Sequence, residues 1–327
     1  MYFVDNQNIT DPRLNLALEE YLLRHGQVTE PLLLLYINEP AVIVGRNQNT
    51  VEEIDPDYVE SRGIHVVRRL SGGGAVYHDL GNLNFSTITP DKNHLTDFRW
   101  FTRPVIRVLG ELGVEAEFRG KSDIFAAGKK ISGNAQYSTA GRLLSHGTLL
   151  FDSDLEALLK ALNPRQVKIE SRAIQSVRSR VVNIRDLLAK PMSMAEFKEA
   201  LLEGLLEGRA VRRYVLSYSE WTKIHQIAVD RYHQWDWNYG RSPKFNVQKS
   251  LRLATGRLDM RIEIQRGRIE TIEISGEYAG QRQVAEFAER LTGIPYSRSA
   301  LLTAMTKIDQ ASLPRDLSQD ELLDLFY

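Results

Sequence analysis

The chain has 327 residues, 43% of them hydrophobic and 26% charged, a globular composition long enough for one large or two modest domains. Lysine plus arginine balances aspartate plus glutamate at 42 each, which argues against the basic excess of a dedicated nucleic-acid binder. There is no cysteine, so disulfides, thiolate metal sites and thiol nucleophiles are excluded. The opening MYFVDNQNIT has neither the basic nor the apolar region of a secretory signal. Apolar runs such as Leu32–Ile37 and Ala41–Val44 fall well short of a membrane span. The expectation is a soluble cytoplasmic chain with no nucleic-acid and no membrane partner.

Asp11-Pro12 opens a segment whose Leu14, Leu18, Tyr21 and Leu22 recur at helical spacing, which predicts an amphipathic helix ending near His25. The runs PLLLLYI and AVIVG follow, separated by Asn38-Glu39-Pro40, and read as buried strands joined by a hairpin-like turn. A short helix over Ile54–Arg62, a strand over Ile64–Leu70, a strand over Ala75–His78 and another over Leu83–Thr89 come next. Periodicity predicts a helix from Phe98 to Leu112, capped by Gly113. From Ala116 to Phe151 the chain returns to strands, and helices are expected over Leu155–Leu162 and Ala195–Gly208. Between those two helices, residues 165–190 carry seven Lys/Arg against Glu170 and Asp186, a run that reads as a solvated face. A break is expected near Gly240-Arg241-Ser242-Pro243. Beyond it, LDMRIEIQRGRIETIEIS alternates about Arg266-Gly267 as a hairpin does, and helical patterns return at Val284–Leu291 and Ser299–Ile308.

The most informative stretch is Arg68-Arg69-Leu70-Ser71-Gly72-Gly73-Gly74-Ala75-Val76-Tyr77-His78-Asp79. Three successive glycines lose much conformational freedom on folding. They make sense where backbone must approach a ligand or turn N–H groups toward an anion, and the two preceding arginines suit phosphate or carboxylate. The competing reading is a tight corner with solvent-facing arginines. Known phosphate loops do not fit. Gly120-Lys121-Ser122 resembles the tail of a Walker A loop, but Glu115 stands where its first glycine belongs. The seven histidines show no metal-binding spacing. A second constellation, Gly120-Lys121-Ser122-Asp123 with Gly128-Lys129-Lys130-Ile131-Ser132-Gly133-Asn134-Ala135, offers a strand-edge lysine able to neutralise a phosphate or a developing oxyanion. Strand alternation turns Lys129 and Lys130 to opposite faces, so one of them reaches a common site.

Together the blocks RRLSGGGAVYHDLGNLNFS (68–86), GKSDIFAAGKKISGNAQ (120–136), SHGTLLFDSDL (145–155), LNP (162–164), SVRSRVVNI (176–184) and WDWNYGRSPKF (235–245) resemble the lipoate–protein ligases of the lipoate/biotin ligase fold group, of the two-domain bacterial type. The resemblance implies an α+β chain: a mixed α/β catalytic domain over residues 1–245 and a small α+β accessory domain over 246–327. It also implies an ATP-dependent ligase. Lipoate and MgATP give lipoyl-AMP and pyrophosphate, and the lipoyl group then passes to a lysine of an acceptor. The acceptors implied are lipoyl domains of 2-oxoacid dehydrogenase E2 subunits or the glycine-cleavage H protein.

By resemblance, Arg69, Gly73, Gly74, Ala75, Val76 and Tyr77 contact the nucleotide, and Asn82 belongs to the same motif. Lys130 binds the lipoyl carbonyl and α-phosphate oxygens. Asp123 is the candidate metal or orienting carboxylate for Mg2+. Arg172, Arg178 and Arg180 fall in the segment that folds over the adenylate. His78 and His146 read equally as structural hydrogen-bonders. One departure is local: Gln136-Tyr137 follow the Ser-Gly-Asn-Ala block where some members carry an arginine touching the lipoyl tail, so lipoate and octanoate both stay open. Related octanoyltransferases use a cysteine thiolate, which this chain lacks. The alternatives are a biotin–protein ligase, whose G-R-G-R-x-G-R loop is absent, and a non-catalytic sensor or carrier of lipoate or nucleotide.

Overall fold

The computed structural model describes residues 1–26, 29–90, 93–162, 180–243, 245–253, 256–275, 288–306 and 319–327. Two compact units divide the chain, Met1–Gln234 and Trp235–Tyr327.

The first unit begins with β1 (Tyr2–Val4) and α1 (Pro12–His25). Asp11 caps α1 by accepting the Arg13 N–H at 2.8 Å, and Pro12 occupies the first turn, where a missing N–H costs nothing. Then come β2 (Leu32–Ile37), β3 (Ala41–Val44), α2 (Thr50–Glu53), α3 (Pro56–Ser61), β4 (His65–Arg68), β5 (Val76–His78) and β6 (Asn82–Thr89). Next are α4 (Phe98–Glu111), β7 (Ala116–Arg119), β8 (Asp123–Ala126), β9 (Lys129–Thr139), β10 (Arg142–Leu150), α5 (Leu155–Ala161), α6 (Met194–Leu205), β11 (Arg213–Tyr214) and α7 (Tyr218–Ile227). They build an eight-stranded mixed sheet in the order β11-β1-β2-β6-β10-β9-β8-β7 and a three-stranded sheet, β4-β3-β5.

The expected hairpin between β2 and β3 is not there. β2 pairs with β1 and β6, whereas β3 pairs with β4 and β5 in the other sheet. The linker explains the switch. Glu39 N–H bonds to Thr10 O, and Pro40, which has no N–H to give a ladder, accepts from His65 N–H with its carbonyl. The backbone groups of a turn are thus spent on other segments. The predicted helix Phe98–Leu112 is present as α4, and Gly113 follows it in the left-handed region with φ 83°.

Strand alternation sorts the large sheet. Leu33 and Leu35 of β2 and Leu83 and Phe85 of β6 face a core closed by Phe101, Val105, Val108 and Leu109 of α4 and by Phe197 and Leu201 of α6. Phe85 stacks on Phe101 at 5.0 Å, and Phe151 on Phe197 at 4.5 Å. The alternate residues Tyr36, Asn84 and Ser86 face the other way, toward α1 and the cleft described below. The polar–apolar alternation of NLNFS in β6 records this division.

In the second unit, β12 (Phe245–Leu253), β13 (Gly256–Gln265) and β14 (Arg268–Ser275) form an antiparallel sheet. The predicted turn is present, with φ 52° at Arg266 and 68° at Gly267, the mirror-image geometry that matches strand twist. The helix expected over Ser299–Ile308 is present over Arg298–Thr306, and residues 307 and 308 lie outside the described residues. Of the helical pattern expected at Val284–Leu291, residues 288–291 are helical and the first four lie outside the described residues.

Phe197, fully buried against Phe151, holds α6 on the sheet. Phe197→Ala is expected to cost about 3–5 kcal/mol, read as a lower denaturant midpoint with the secondary structure retained.

Candidate active site

The glycine corner lies between β4 and β5, and both of its arginines are buried, Arg68 at 0% and Arg69 at 6% exposure. The reading of a corner with solvent-facing arginines is therefore set aside. Arg68 donates from Nη1 to the carbonyls of Gly45, Arg46 and Gln48 and from Nη2 to Thr50 Oγ1, pinning the loop after β3. Arg69 donates from Nη1 to Ile43 O and from Nη2 to Gly72 O and Gly74 O at 2.6 and 2.8 Å. In a planar trans peptide the N–H points opposite its carbonyl. The Gly73 and Ala75 N–H groups therefore point away from Arg69. Gly73 itself has φ 90°, which a residue with a Cβ rarely adopts. A Cβ on Gly45 would lie 2.0 Å from Gly73 O, so that glycine permits the two loops to touch.

Arg69 belongs to a longer chain of buried groups. Its Nε–H donates to Ser71 Oγ at 3.0 Å, and Ser71 lies 2.7 Å from His146 Nε2. His146 Nδ1 lies 2.9 Å from Glu19 Oε2, and Tyr36 donates its hydroxyl to Glu19 Oε1 at 3.0 Å. An arginine can only donate and a carboxylate can only accept. If both ends are ionised, the hydroxyl proton of Ser71 goes to Nε2 and the ring proton of His146 stays on Nδ1. Burial pulls the Arg69 pKa down to about 10, and Glu19 and Tyr36 oppose that shift; the guanidinium stays charged at neutral pH.

Facing the corner, β8 and β9 form a hairpin with a register shift at Ile124/Phe125. Lys130 Nζ lies 3.1 Å from Asp123 Oδ1. A Cβ on Gly133 would approach Nζ to 3.2 Å, so Gly133 leaves room for the ammonium. The Lys130 backbone is held from its other side: its N–H bonds to Arg180 O at 2.8 Å and its carbonyl accepts from Val182 N–H at 3.2 Å.

Corner and hairpin line one cleft of about 140 Å³, which holds Arg69, Gly73, Gly74, Ala75, Val76, Asp123 and Lys130 of the expected residues. Tyr77 does not line it. Strand alternation turns Val76 and His78 into the cleft and Tyr77 away, where burial and the nearby Asp79 push its hydroxyl pKa up. Asn82 is fully buried and bonded to Asn84 Oδ1, also off the cleft. Arg172 and Arg178 lie outside the described residues, and Arg180 is exposed. Lys129 lines a different cavity with Asp154, Glu156 and Asp186, so the two lysines do part as alternation requires. Among the described residues, no group of three or more His, Asp or Glu is placed to hold a metal ion. Glu19 and Tyr36 went unnoticed in the sequence, and Asn134 was named only as part of the second constellation. The one signal for Glu19 was its place amid apolar helix residues.

A cationic cleft with one carboxylate, a glycine corner turning N–H groups away from a buried arginine, and an adjacent apolar wall of Leu16, Tyr36 and Ile43 suits an apolar carboxylic acid and a phosphate together. Comparison with known proteins gives the same class. Residues 11–206 match the lipoyl protein ligase A/B catalytic domain, and residues 242–326 match the bacterial lipoate protein ligase C-terminus. The lipoate-protein ligase LplJ of Bacillus subtilis is 48% identical over the whole of both chains. The bipartite lipoate protein ligase of Thermoplasma acidophilum superimposes with a TM-score of 0.66 at 31% identity, covering 75% of this chain and 98% of that one. A lipoate-protein ligase A structure bound with ATP gives 0.61 at 32%, covering 71% and 95%. The chain belongs to the lipoate–protein ligase family.

One titration follows from the site. Burial, then Arg69 and His146, push the His78 pKa from 6.5 down to about 3. Above 6.5 neither the folded nor the unfolded ring binds a proton. Between about 6.5 and 3 the unfolded state binds more, so stability falls as the pH falls. Subtracting the unfolding free energy of His78→Gln from that of the wild type, pH by pH, should reveal this loss below about pH 6.5 as a slope, with the difference independent of pH above about 7.

Proposed function

We propose that the first unit joins lipoate to ATP and passes the lipoyl group to a protein lysine. A lipoate carboxylate oxygen attacks the α-phosphorus, the bond to the β-phosphate breaks, and pyrophosphate leaves. The ε-amine of the acceptor lysine then attacks the acyl carbon, AMP departs with the bridging oxygen, and the amine loses its proton to solvent. Adenylation is needed because a carboxylate is a poor electrophile, and its mixed anhydride carries a good leaving group.

Lys130 places an ammonium beside the carbonyl and α-phosphate oxygens, where charge accumulates in both steps. Asp123, at 3.1 Å, orients it. Arg69 keeps the corner carbonyls turned to itself and so leaves the opposite, N–H side to Gly73, Gly74, Ala75 and Val76 for the nucleotide. Arg178, outside the described residues, is assigned to the nucleotide by the family resemblance alone. Mg2+ fits this donor set as a companion of the nucleotide rather than a resident ion: one carboxylate, Asp123, stands ready, and Mg2+ characteristically takes its remaining ligands from phosphates and water. When bound it neutralises phosphate charge. The observation that carries the reading is the meeting of Lys130, Asp123 and the Arg69-braced corner in a single cleft.

Relatives support the substrates. One Thermoplasma acidophilum protein, a putative lipoate protein ligase, has been solved with bound lipoic acid, and the ATP-bound ligase above supplies the nucleotide. The bipartite Thermoplasma ligase is described with its E2 lipoyl domain, which favours lipoyl domains of 2-oxoacid dehydrogenases as acceptors here. The glycine-cleavage H protein is the second acceptor proposed. The working compartment is the cytoplasm; among the described residues no helix is long and apolar enough to cross a membrane.

The test is lipoate-dependent exchange of labelled pyrophosphate into ATP, with octanoate and biotin in parallel. Exchange with lipoate is expected; a folded protein giving none with any acid overturns the adenylation. Lys130→Ala should lower exchange by about 10²–10³-fold, as loss of an oxyanion donor does. Lys129→Ala should change it little, and equal loss in both removes Lys130 from its role.

A further inference from the structure

His78 lines the cleft but takes no part in the steps above. Its protonation can be read from a chain of asparagines. Asn15 donates its amide to Ile9 O at 2.9 Å and to Asn38 Oδ1 at 2.8 Å, and accepts at Oδ1 from Asn6. The Ile9 carbonyl can only accept, so the orientation of Asn15 is determined, and through it that of Asn38. The group that Asn38 presents to His78 Nδ1, at 2.9 Å, is therefore its NH2. Nδ1 accepts, and the ring proton sits on Nε2.

That Nε2 is buried and has no hydrogen-bond partner among the described residues, and the side chain is 4% exposed. A buried N–H left without an acceptor is costly, and such atoms are rare in folded proteins. A partner that arrives with the substrate recovers the loss.

We propose that His78 is a substrate-binding residue whose Nε2–H donates to an anionic oxygen, either of the acid's carboxylate or of the α-phosphate to which it becomes joined. Arg69 and Lys130, in the same cleft, attract that charge. The depressed pKa of the imidazole, about 3, keeps it a neutral donor with one proton. It orients the oxygen and does not act as a general acid or base at neutral pH. The proposal rests on the adenylating reading, and its test is arranged so that each fails separately.

Glutamine can place an amide N–H near the position of Nε2, while asparagine reaches only as far as Nδ1 and preserves the bond from Asn38. Pyrophosphate exchange is measured for wild type, His78→Gln, His78→Asn and His78→Leu. Calorimetric binding of lipoate and of ATP accompanies it, and thermal unfolding confirms the fold. His78→Gln should stay within about threefold of wild type, whereas His78→Asn and His78→Leu should lose about ten- to a hundredfold in kcat/KM. A loss carried by lipoate affinity identifies the carboxylate; one carried by ATP affinity identifies the α-phosphate. Retention by His78→Asn with loss in His78→Gln would mean that the Asn38 bond is what matters, and overturns the proposal. So does equal activity, or equal loss, in all three folded variants. Absent wild-type exchange refutes adenylation alone, because the binding measurements still report on His78. A readout free of variants is the 15N spectrum of histidine-labelled wild type. The Nε2–H tautomer is expected, with its proton moving downfield on adding lipoate or ATP; the Nδ1–H tautomer overturns the proposal.

Discussion

The site depends on one buried guanidinium. Three successive glycines have no intrinsic reason to adopt one shape, and fixing them costs more backbone entropy than any other tripeptide. Arg69 supplies the reason: it takes the carbonyls on either side of Gly73 and ties them to Ile43 O of β3. A buried cation is expensive unless its donors are satisfied and its charge answered. Here four acceptors meet it, and the carboxylate of Glu19 answers it through Ser71 and His146. Because these groups are buried, water is poorly placed to substitute for a missing link.

Much of the frame was legible because it obeys local rules. The α1 start, the Gly113 stop and the Arg266-Gly267 turn each follow from a residue that favours one backbone geometry. The β2–β3 connection was misread for a physical reason. Two apolar runs separated by a short polar linker look alike whether they pair with each other or enter different sheets, and only long-range partners such as His65 and Thr10 decide. Burial of α1 was underestimated likewise. Glu19 and Glu20 look like the wet side of an amphipathic helix, yet each is 2% exposed. Glu20 accepts from Arg24 and Tyr232 and is ion-paired with Arg231, a set of partners separated from it by up to 212 positions in the chain.

The site itself was legible as motifs rather than as geometry. The family resemblance named Arg69, Gly73, Gly74, Ala75, Val76, Asp123 and Lys130, and the fold brings all seven to one cleft. The same motif includes Tyr77 and Asn82, which face elsewhere. A motif records residues that belong together for any cause, folding or chemistry, and strand alternation then divides them. Tyr77 and Asn82 are part of the wall behind the corner, not of its inner surface.

The cleft combines two kinds of cation. Four of the five N–H donors of Arg69 go to protein acceptors, so it braces the corner while its charge shapes the field of the cleft. Lys130 is about a third exposed and, among the described residues, meets one carboxylate, Asp123, so its ammonium can turn toward a ligand while its backbone is clamped between β8 and the segment at Val181. A ligase of this kind needs both properties in one place. In the reaction proposed above, the surface for the triphosphate is set before the substrate arrives, and the charge assigned to the phosphoryl and acyl oxygens can move with them. A guanidinium locked by geometry and an ammonium on a flexible stem divide that work according to their chemistry.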